Sequence, residues 1–509
     1  MHTIGKRRRA KAFRRRTLER LGAASPYSGM GAWLEGSGVS SSWGCVMRAW
    51  RVLLIAVLLV CGSATGFAQA GPIPVGPPNP PALPAIPGID AATVQRWIDA
   101  VVPAPPIVAP ADPIAASPGT SPNLARLQQA VMPAEVGDPM FDQWPPNLAA
   151  EAPGAIIAVR DVTATAAPLL AVPVRQVLLL KFRTTDAYGG ASFATATLVI
   201  PAAAWPGRGE RPVVVNNLAI DALGRACTPG YTLAHGFNAH SSLGDDLPPT
   251  TQLAVLRGYA VLIPDHEGPR MAYAEPYVAG HAVLDSIRAL RNLRPEEFGN
   301  SRFAMHGYSG GAIATRGAVA LIGSYAPELA TVVVGAALGG VPADYRILAR
   351  SMNANLASGV FLAATFGVAR ERPEILARMN NLARWAAISP LKDSCTSVFA
   401  PVGLLMLPAD VAADIPDALQ SPVADQIYTV TAMNGMKSPV PLYIYQGEQE
   451  FWIPAEGARD YYARQCALGA RATYRSVPGE HLLADALGYP EAAAWVDQRL
   501  QGIPAPDGC

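Results

Sequence analysis

A chain of 509 residues that is 50% hydrophobic and 16% charged has the composition of a globular protein, not of a disordered or fibrous one. Its formal charge of +1 conceals an asymmetry: residues 1–70 carry eleven Lys and Arg against two Asp and Glu, a surplus of nine, so the remainder is acidic by eight. An acidic body with no basic stripe excludes nucleic-acid binding as the main activity.

The chain opens on a targeting pattern. Arg48 and Arg51 precede an apolar run from Val52 to Val60, and Ala68-Gln69-Ala70 supplies a small-residue cleavage site before Gly71. Those are the three parts of a secretory signal peptide, and it begins naturally at Met47. Residues 1–46 then read as an over-long start or a long basic n-region. An uncleaved anchor is the competing reading, but the apolar run is short for a span. Lipidation at Cys61 is disfavoured by the Val60 before it. Export would leave Cys227, Cys395, Cys466 and Cys509, an even number that predicts two disulfides. Three pairings are possible; Cys466–Cys509 with Cys227–Cys395 is the most economical.

The next stretch is rich in Pro and Ala, as in Pro77-Pro78-Asn79-Pro80-Pro81, with one short helical pattern from Ala91 to Val102. It predicts an extended linker over residues 71–130. From about Asp138 the pattern changes. Val177–Thr184 and Ser192–Ile200 are strand-like runs around the hairpin signal Asp186-Ala187-Tyr188-Gly189-Gly190. Short apolar runs follow at Pro212–Val215, Ala260–Pro264, Phe303–Met305, Thr331–Val334, Leu442–Tyr445 and Ala472–Val477. Helical patterns at Gly280–Leu293, Ala312–Ile322 and Glu456–Leu468 separate several of them. Strands alternating with helices predict an α/β fold with a mostly parallel sheet covered on both faces. Between residues 343 and 431 there is helical pattern without a strand, at Tyr345–Met352, Ala357–Ala369, Pro373–Ala387 and Asp410–Ala418. That predicts a helical cap inserted into a core formed by residues 131–342 and 432–509.

One pentapeptide organises the rest. Gly307-Tyr308-Ser309-Gly310-Gly311 follows a strand and opens an Ala-rich helix, the layout of a nucleophile elbow. Alone, G-x-S-x-G is a frequent coincidence. Its partners should follow in the order acid, then histidine. Of His2, His235, His240, His266, His281, His306 and His481, only His481 lies after Ser309, in a turn beyond the last strand. The acid should follow the strand ending at Gly447; Glu450 is the first choice, with Glu448 and Asp460 as alternatives. Oxyanion donors are expected from the N–H of Gly310 and from the loop Val215–Asp221.

With Asp265-His266-Glu267-Gly268-Pro269, Val283-Leu284-Asp285-Ser286-Ile287-Arg288-Ala289, Ala219-Ile220-Asp221 before Cys227, and Tyr445-Gln446-Gly447…Ile453-Pro454 in this order, the chain from about residue 130 resembles the secretory lipase family. The resemblance implies an α/β-hydrolase fold with a helical cap, Ser309 as nucleophile and His481 as base. It puts the acid at Glu450, where the family usually has Asp. It implies Asp221 as the second oxyanion residue, the pairs Cys227–Cys395 and Cys466–Cys509, and a supporting place near the site for Asp265 and His266.

The expected activity is therefore ester hydrolysis by a secreted or cell-envelope enzyme acting on lipid or ester, without metal, cofactor or partner protein. A short-chain esterase and an acyltransferase would use the same triad; a chain-length series separates the first, and an added alcohol acceptor the second. A non-catalytic envelope binding protein would require a broken triad.

Overall fold

The computed structural model describes residues 91–108, 116–238, 241 and 248–509. The leader expected over 1–70, the Pro-rich run to residue 90 and His240 lie outside the described residues. Nine strands form one sheet: β1 (Ile156–Asp161), β2 (Val174–Thr185), β3 (Ala191–Pro201), β4 (Val213–Asn217), β5 (Ala260–Pro264), β6 (Phe303–Tyr308), β7 (Val333–Gly339), β8 (Leu442–Gly447) and β9 (Ala472–Val477). Their order is β1-β2-β3-β5-β4-β6-β7-β8-β9. The first three strands pair antiparallel, as does β3 with β5, and every pairing from β5 to β9 is parallel.

The central strands are buried along their whole length because helices cover both faces. Successive side chains divide between two cores. Val213, Val215, Phe303 and Met305 face the helices Pro276–Leu293 and Gly310–Tyr325. Val214, Ala304 and Tyr443 face the other way, with Trp495 and Val496 of the C-terminal helix His481–Leu500. The hairpin signal closes as expected: Asp186 Oδ1 accepts the N–H groups of Tyr188 and Gly190, and Gly189 takes φ +87°. Two strands depart from the sequence reading. β1 was not expected, because it is a partly exposed edge strand carrying Arg160 and Asp161. β7 runs beyond the expected Thr331–Val334 through Gly335, Ala336 and Ala337, residues with little strand signal of their own.

The insertion between β7 and β8 is helical, with Tyr345–Met352, Ser358–Glu371, Asn381–Ile388 and Pro422–Thr431 as its helices. The helix expected over Pro373–Ala387 is split. A 3-10 turn at Leu376–Arg378 precedes Asn380, whose side chain accepts from Ala383 N–H and starts a new helix. Asp410–Ala418 is only a turn at Ala409–Ala412, since Pro416 lacks the N–H that a continuing helix needs.

The short helical pattern expected at Ala91–Val102 forms the helix Ala91–Val101, and the described part of the stretch read as a linker carries a second, unexpected helix, Pro122–Ala130. Leu127 and Val131 pack with Ala369, Leu376, Met379 and Ala383 of the cap. A Pro-rich average had hidden the helical spacing of Leu124, Leu127 and Val131. Both sulfur pairs form as anticipated. Cys227–Cys395 spans 168 residues and Cys466–Cys509 spans 43. Loop entropy assigns them about 5 and about 4 kcal/mol of stabilisation.

The cap is fixed to the core by buried charge. Arg370 donates to the carbonyls of Val131, Leu223, Arg270, Met271 and Lys392. On either side, Glu371 pairs with Arg270 and Arg372 with Glu275, all four groups buried. Arg370→Leu would strand those carbonyls in a dry interior and should cost about 3–5 kcal/mol. Denaturant unfolding would register this as a lower midpoint at unchanged slope; an unchanged midpoint would mean that Arg370 is not an anchor.

Candidate active site

Ser309 sits between the end of β6 and the helix Gly310–Tyr325, with φ +54° and ψ −120°. This is a region where a non-glycine residue costs about 1–3 kcal/mol, and it persists only when the surroundings impose it. They do so by close approach. A Cβ on Gly307 would run into the Gly311 carbonyl, and one on Gly311 into the Asn217 carbonyl at the end of β4. Ser309 N–H donates to Gly339 O at 3.0 Å, which fixes the turn against β7.

Two further segments bring a hydrogen-bonded chain to the hydroxyl. Ser309 Oγ lies 2.9 Å from His481 Nε2, and His481 Nδ1 lies 2.6 Å from Glu450 Oε2. The other Glu450 oxygen accepts the N–H groups of Trp452 (2.9 Å) and Ile453 (3.1 Å), and the carboxylate is 0% exposed. Tyr308 donates its hydroxyl to the His481 carbonyl at 2.6 Å, so the residue before the serine holds the backbone of the histidine. Glu448 is exposed and accepts from Ser476 Oγ, and Asp460 is exposed on the helix Ala455–Ala467. Burial depresses the His481 pKa, but the hydrogen bond and charge of Glu450, with smaller contributions from Asp221 and Asp485, outweigh it and the net shift is upward.

The remaining expected residues converge on the same point. Gly310 is the first residue of its helix, where an N–H has no intrahelical acceptor. The Asp221 carboxyl lies against Gly310 so closely that a Cβ there would overlap Oδ1. Asp221 has φ +45°, its Oδ1 is buried without a partner among the described residues, and burial raises its pKa to about 6 against the opposing charge of His481. Its loop is braced by His266, whose Nε2 donates to Leu218 O at 2.8 Å, and by Thr396, whose hydroxyl bonds Asp221 O. Asp265 holds the next layer, accepting from Thr195 Oγ1 and Gly230 N–H. Sequence reasoning singled out Asp265 and His266 but passed over Glu267. That carboxyl is fully buried, accepts Ala222 N–H at 3.3 Å, and is pushed well up by burial and by the charge of Asp221. A charged residue directly after those two, inside the same motif, was the available signal.

A cavity of about 470 Å³ opens at Ser309, Asp221 and His481 and runs into the cap, where Leu348, Phe361, Phe366, Leu419 and Ile427 are among its walls. Its size falls in the range of small-molecule sites, and its walls are mostly apolar.

The secretory lipase family model matches residues 250–508. The chain belongs to the secretory lipase family. Lipase A of Moesziomyces aphidis is 30% identical over 398 residues, 74% of this chain and 82% of that one. Lipase 10 of Candida albicans is 28% identical over 391 residues, 72% of this chain and 82% of that one. A Mycobacterium tuberculosis relative bearing the name probable inactive lipase MT1628 is 29% identical over 389 residues, 75% and 86% of the two chains. Among solved structures, the closed state of Candida antarctica lipase A aligns with TM-score 0.64 and 26% identity, covering 73% of this chain and 88% of that one. A rice cell wall degrading esterase of Xanthomonas oryzae aligns with TM-score 0.52 at 16% identity, covering 69% and 98% of the two chains, which is a likeness of fold. The α/β-hydrolase fold of the chain is thus common to its neighbours.

The electrostatics of the site can be read without any substrate. His481 should titrate above the unperturbed histidine value of about 6.5. By linkage its stabilising contribution is complete below that value and is lost as pH rises through the folded-state pKa. NMR titration of Glu450→Gln should place the imidazole lower than in the parent, since burial then acts with less opposition; an unmoved pKa would remove Glu450 from this role.

Proposed function

We propose that this secretory lipase is a secreted carboxylic-ester hydrolase of the triacylglycerol lipase type, acting through Ser309, His481 and Glu450. The observation that carries the reading is the unbroken hydrogen-bond chain from Glu450 through His481 to the Ser309 hydroxyl, opening on an apolar cavity. Membership of a family that includes a relative named as inactive does not by itself imply turnover; the complete chain of donors and acceptors argues for it here.

In this mechanism Ser309 Oγ attacks the ester carbonyl as His481 Nε2 takes its proton, and Glu450 holds the imidazole tautomer and stabilises the imidazolium. The oxyanion accepts from Gly310 N–H and from the Asp221 loop. Asp221 in its neutral form adds a carboxyl O–H to these donors. Its proton is coupled to that of His481: the competent microstate has Asp221 protonated and His481 neutral, so the two titrate as a pair. His481 then protonates the leaving alcohol, and water, activated the same way, releases the acid from the acyl-enzyme. The cavity receives the acyl chain, each buried methylene contributing up to about 0.8 kcal/mol. Leu482, a lining residue 69% exposed, and the exposed Phe451, in edge contact with the lining residue Trp452, suit a lipid surface. Two disulfides and the leader pattern fit export. Among the described residues, no helix is long and apolar enough to cross a membrane.

The test is hydrolysis of p-nitrophenyl esters of increasing chain length and of emulsified triglyceride, run beside Ser309→Ala. The parent should turn over both, and the variant should lose about 10⁴-fold or more in kcat; parent and variant equally inactive throughout would end the reading. For the oxyanion site, Asp221→Ala should lose about 10²–10³-fold in kcat. Asp221→Asn keeps a donor and should retain more activity, with the acid limb of its kcat/KM profile displaced to lower pH because His481 loses an anionic neighbour. Equal losses in both variants would count against side-chain donation.

A further inference from the structure

Part of the cavity lining comes from two cap segments that belong to no long helix or sheet. Arg378 and Met379 come from one, Ala409, Ala412 and Ala413 from the other. The segments meet in a short antiparallel bridge, Met379 opposite Ala413. Asn380 N–H donates to Ala412 O, Asp414 N–H to Arg378 O, and Asn380 Nδ2 to Val411 O. An isolated pairing of that size is marginal by itself.

Its outer support is the helix Ala91–Val101. Gln95 is 4% exposed, and its Nε2 donates to both Asp410 O (2.9 Å) and Ile415 O (2.6 Å), bracketing one wall segment. An amide NH₂ has two donors, one for each carbonyl; Asp410 O also accepts the Ala413 N–H that closes the 3-10 turn. The other segment is held from the same side. Asp99 Oδ1 accepts Asn381 N–H at 2.8 Å, Asn381 Nδ2 donates to Val102 O at 2.9 Å, and Trp385 Nε1 donates to Pro103 O at 2.8 Å. Ile98 is buried beneath the helix. One segment presents only alanines to the cavity, Ala409, Ala412 and Ala413, so there the position of the backbone sets the wall.

We propose that these two segments form the far wall of the acyl site and that residues 91–103 are a strap that determines acyl-chain specificity, setting the depth of the cavity by clamping that wall from outside. This rests on the reading of the cavity as the acyl site. Short acyl chains end before the wall and are indifferent to the strap, whereas long ones press on it. Releasing the clamp lets the wall yield and moves the preference toward longer chains.

The experiment compares kcat/KM for p-nitrophenyl butyrate, octanoate and palmitate in the full chain, in Gln95→Ala, and in Gln95→Ala/Asp99→Ala, which frees both wall segments. Butyrate hydrolysis should stay within about twofold of the parent, and the palmitate-to-octanoate ratio should rise about fivefold or more in the double variant, a change on the scale of one methylene contact. Ala412→Phe, which thickens the wall from within, should move that ratio the opposite way. Unchanged ratios in the double variant, or an equal fall for all three esters, would overturn the strap's role. A parent lacking Ser309-dependent hydrolysis of any ester would instead overturn the reading of the cavity itself.

Discussion

A serine held at positive φ, with no room for a side chain at the glycines around it, is the constraint from which the rest of the site follows. The close approach of Gly311 to the Asn217 carbonyl locks the elbow helix onto the end of β4. The loop that leaves β4 must therefore pass directly over the helix N-terminus, and it carries Asp221 to Gly310. On the other flank, the Ser309 N–H bond to β7 and the Tyr308 hydroxyl on the His481 carbonyl set the distance between Ser309 and His481. The strain in one residue is thus met by contacts from four parts of the sheet.

The second organising fact is that the cap is not a loosely hinged lid along its whole extent. Its helix Ser358–Glu371 ends in three consecutive buried charged residues, Arg370, Glu371 and Arg372, bonded into the core. Burying so many charges is tolerated because each finds carbonyls or an opposite charge. Among the described residues, the stretch from 400 to 407 contrasts with that anchor: a 3-10 turn at Ala400–Leu405, with Leu404 and Leu405 exposed. Movement of the cap is most easily accommodated there.

Much of this was legible in the residues. Fully buried parallel strands are short and apolar, so β4, β5, β6 and β8 announced themselves, and the order of Ser309, Glu450 and His481 followed from where the strands end. Glu450 in place of the usual Asp left its assignment open, because sequence cannot show that the longer side chain still reaches His481 while its other oxygen takes two backbone N–H groups. β1 escaped notice as a half-exposed edge. The helix Pro122–Ala130 was lost in the composition of its surroundings. Arg370 was invisible as a buried charge, and for Glu267 only its place in the Asp265-His266-Glu267 motif could have pointed to it, since burial is a property of the assembled layers and neither residue type suggests it.

The bond between Cys227 and Cys395 has a temporal side. It joins the Asp221 loop to residues 394–396, where Ser394 O receives Leu223 N–H and Thr396 bonds Asp221 O, across a separation of 168 residues. A nascent chain thus completes the elbow well before the brace of its Asp221 loop has been synthesised, and the covalent link awaits an oxidising compartment. The last part of the candidate site to be secured is therefore the one whose closure depends on the redox state of the surroundings in which the chain folds.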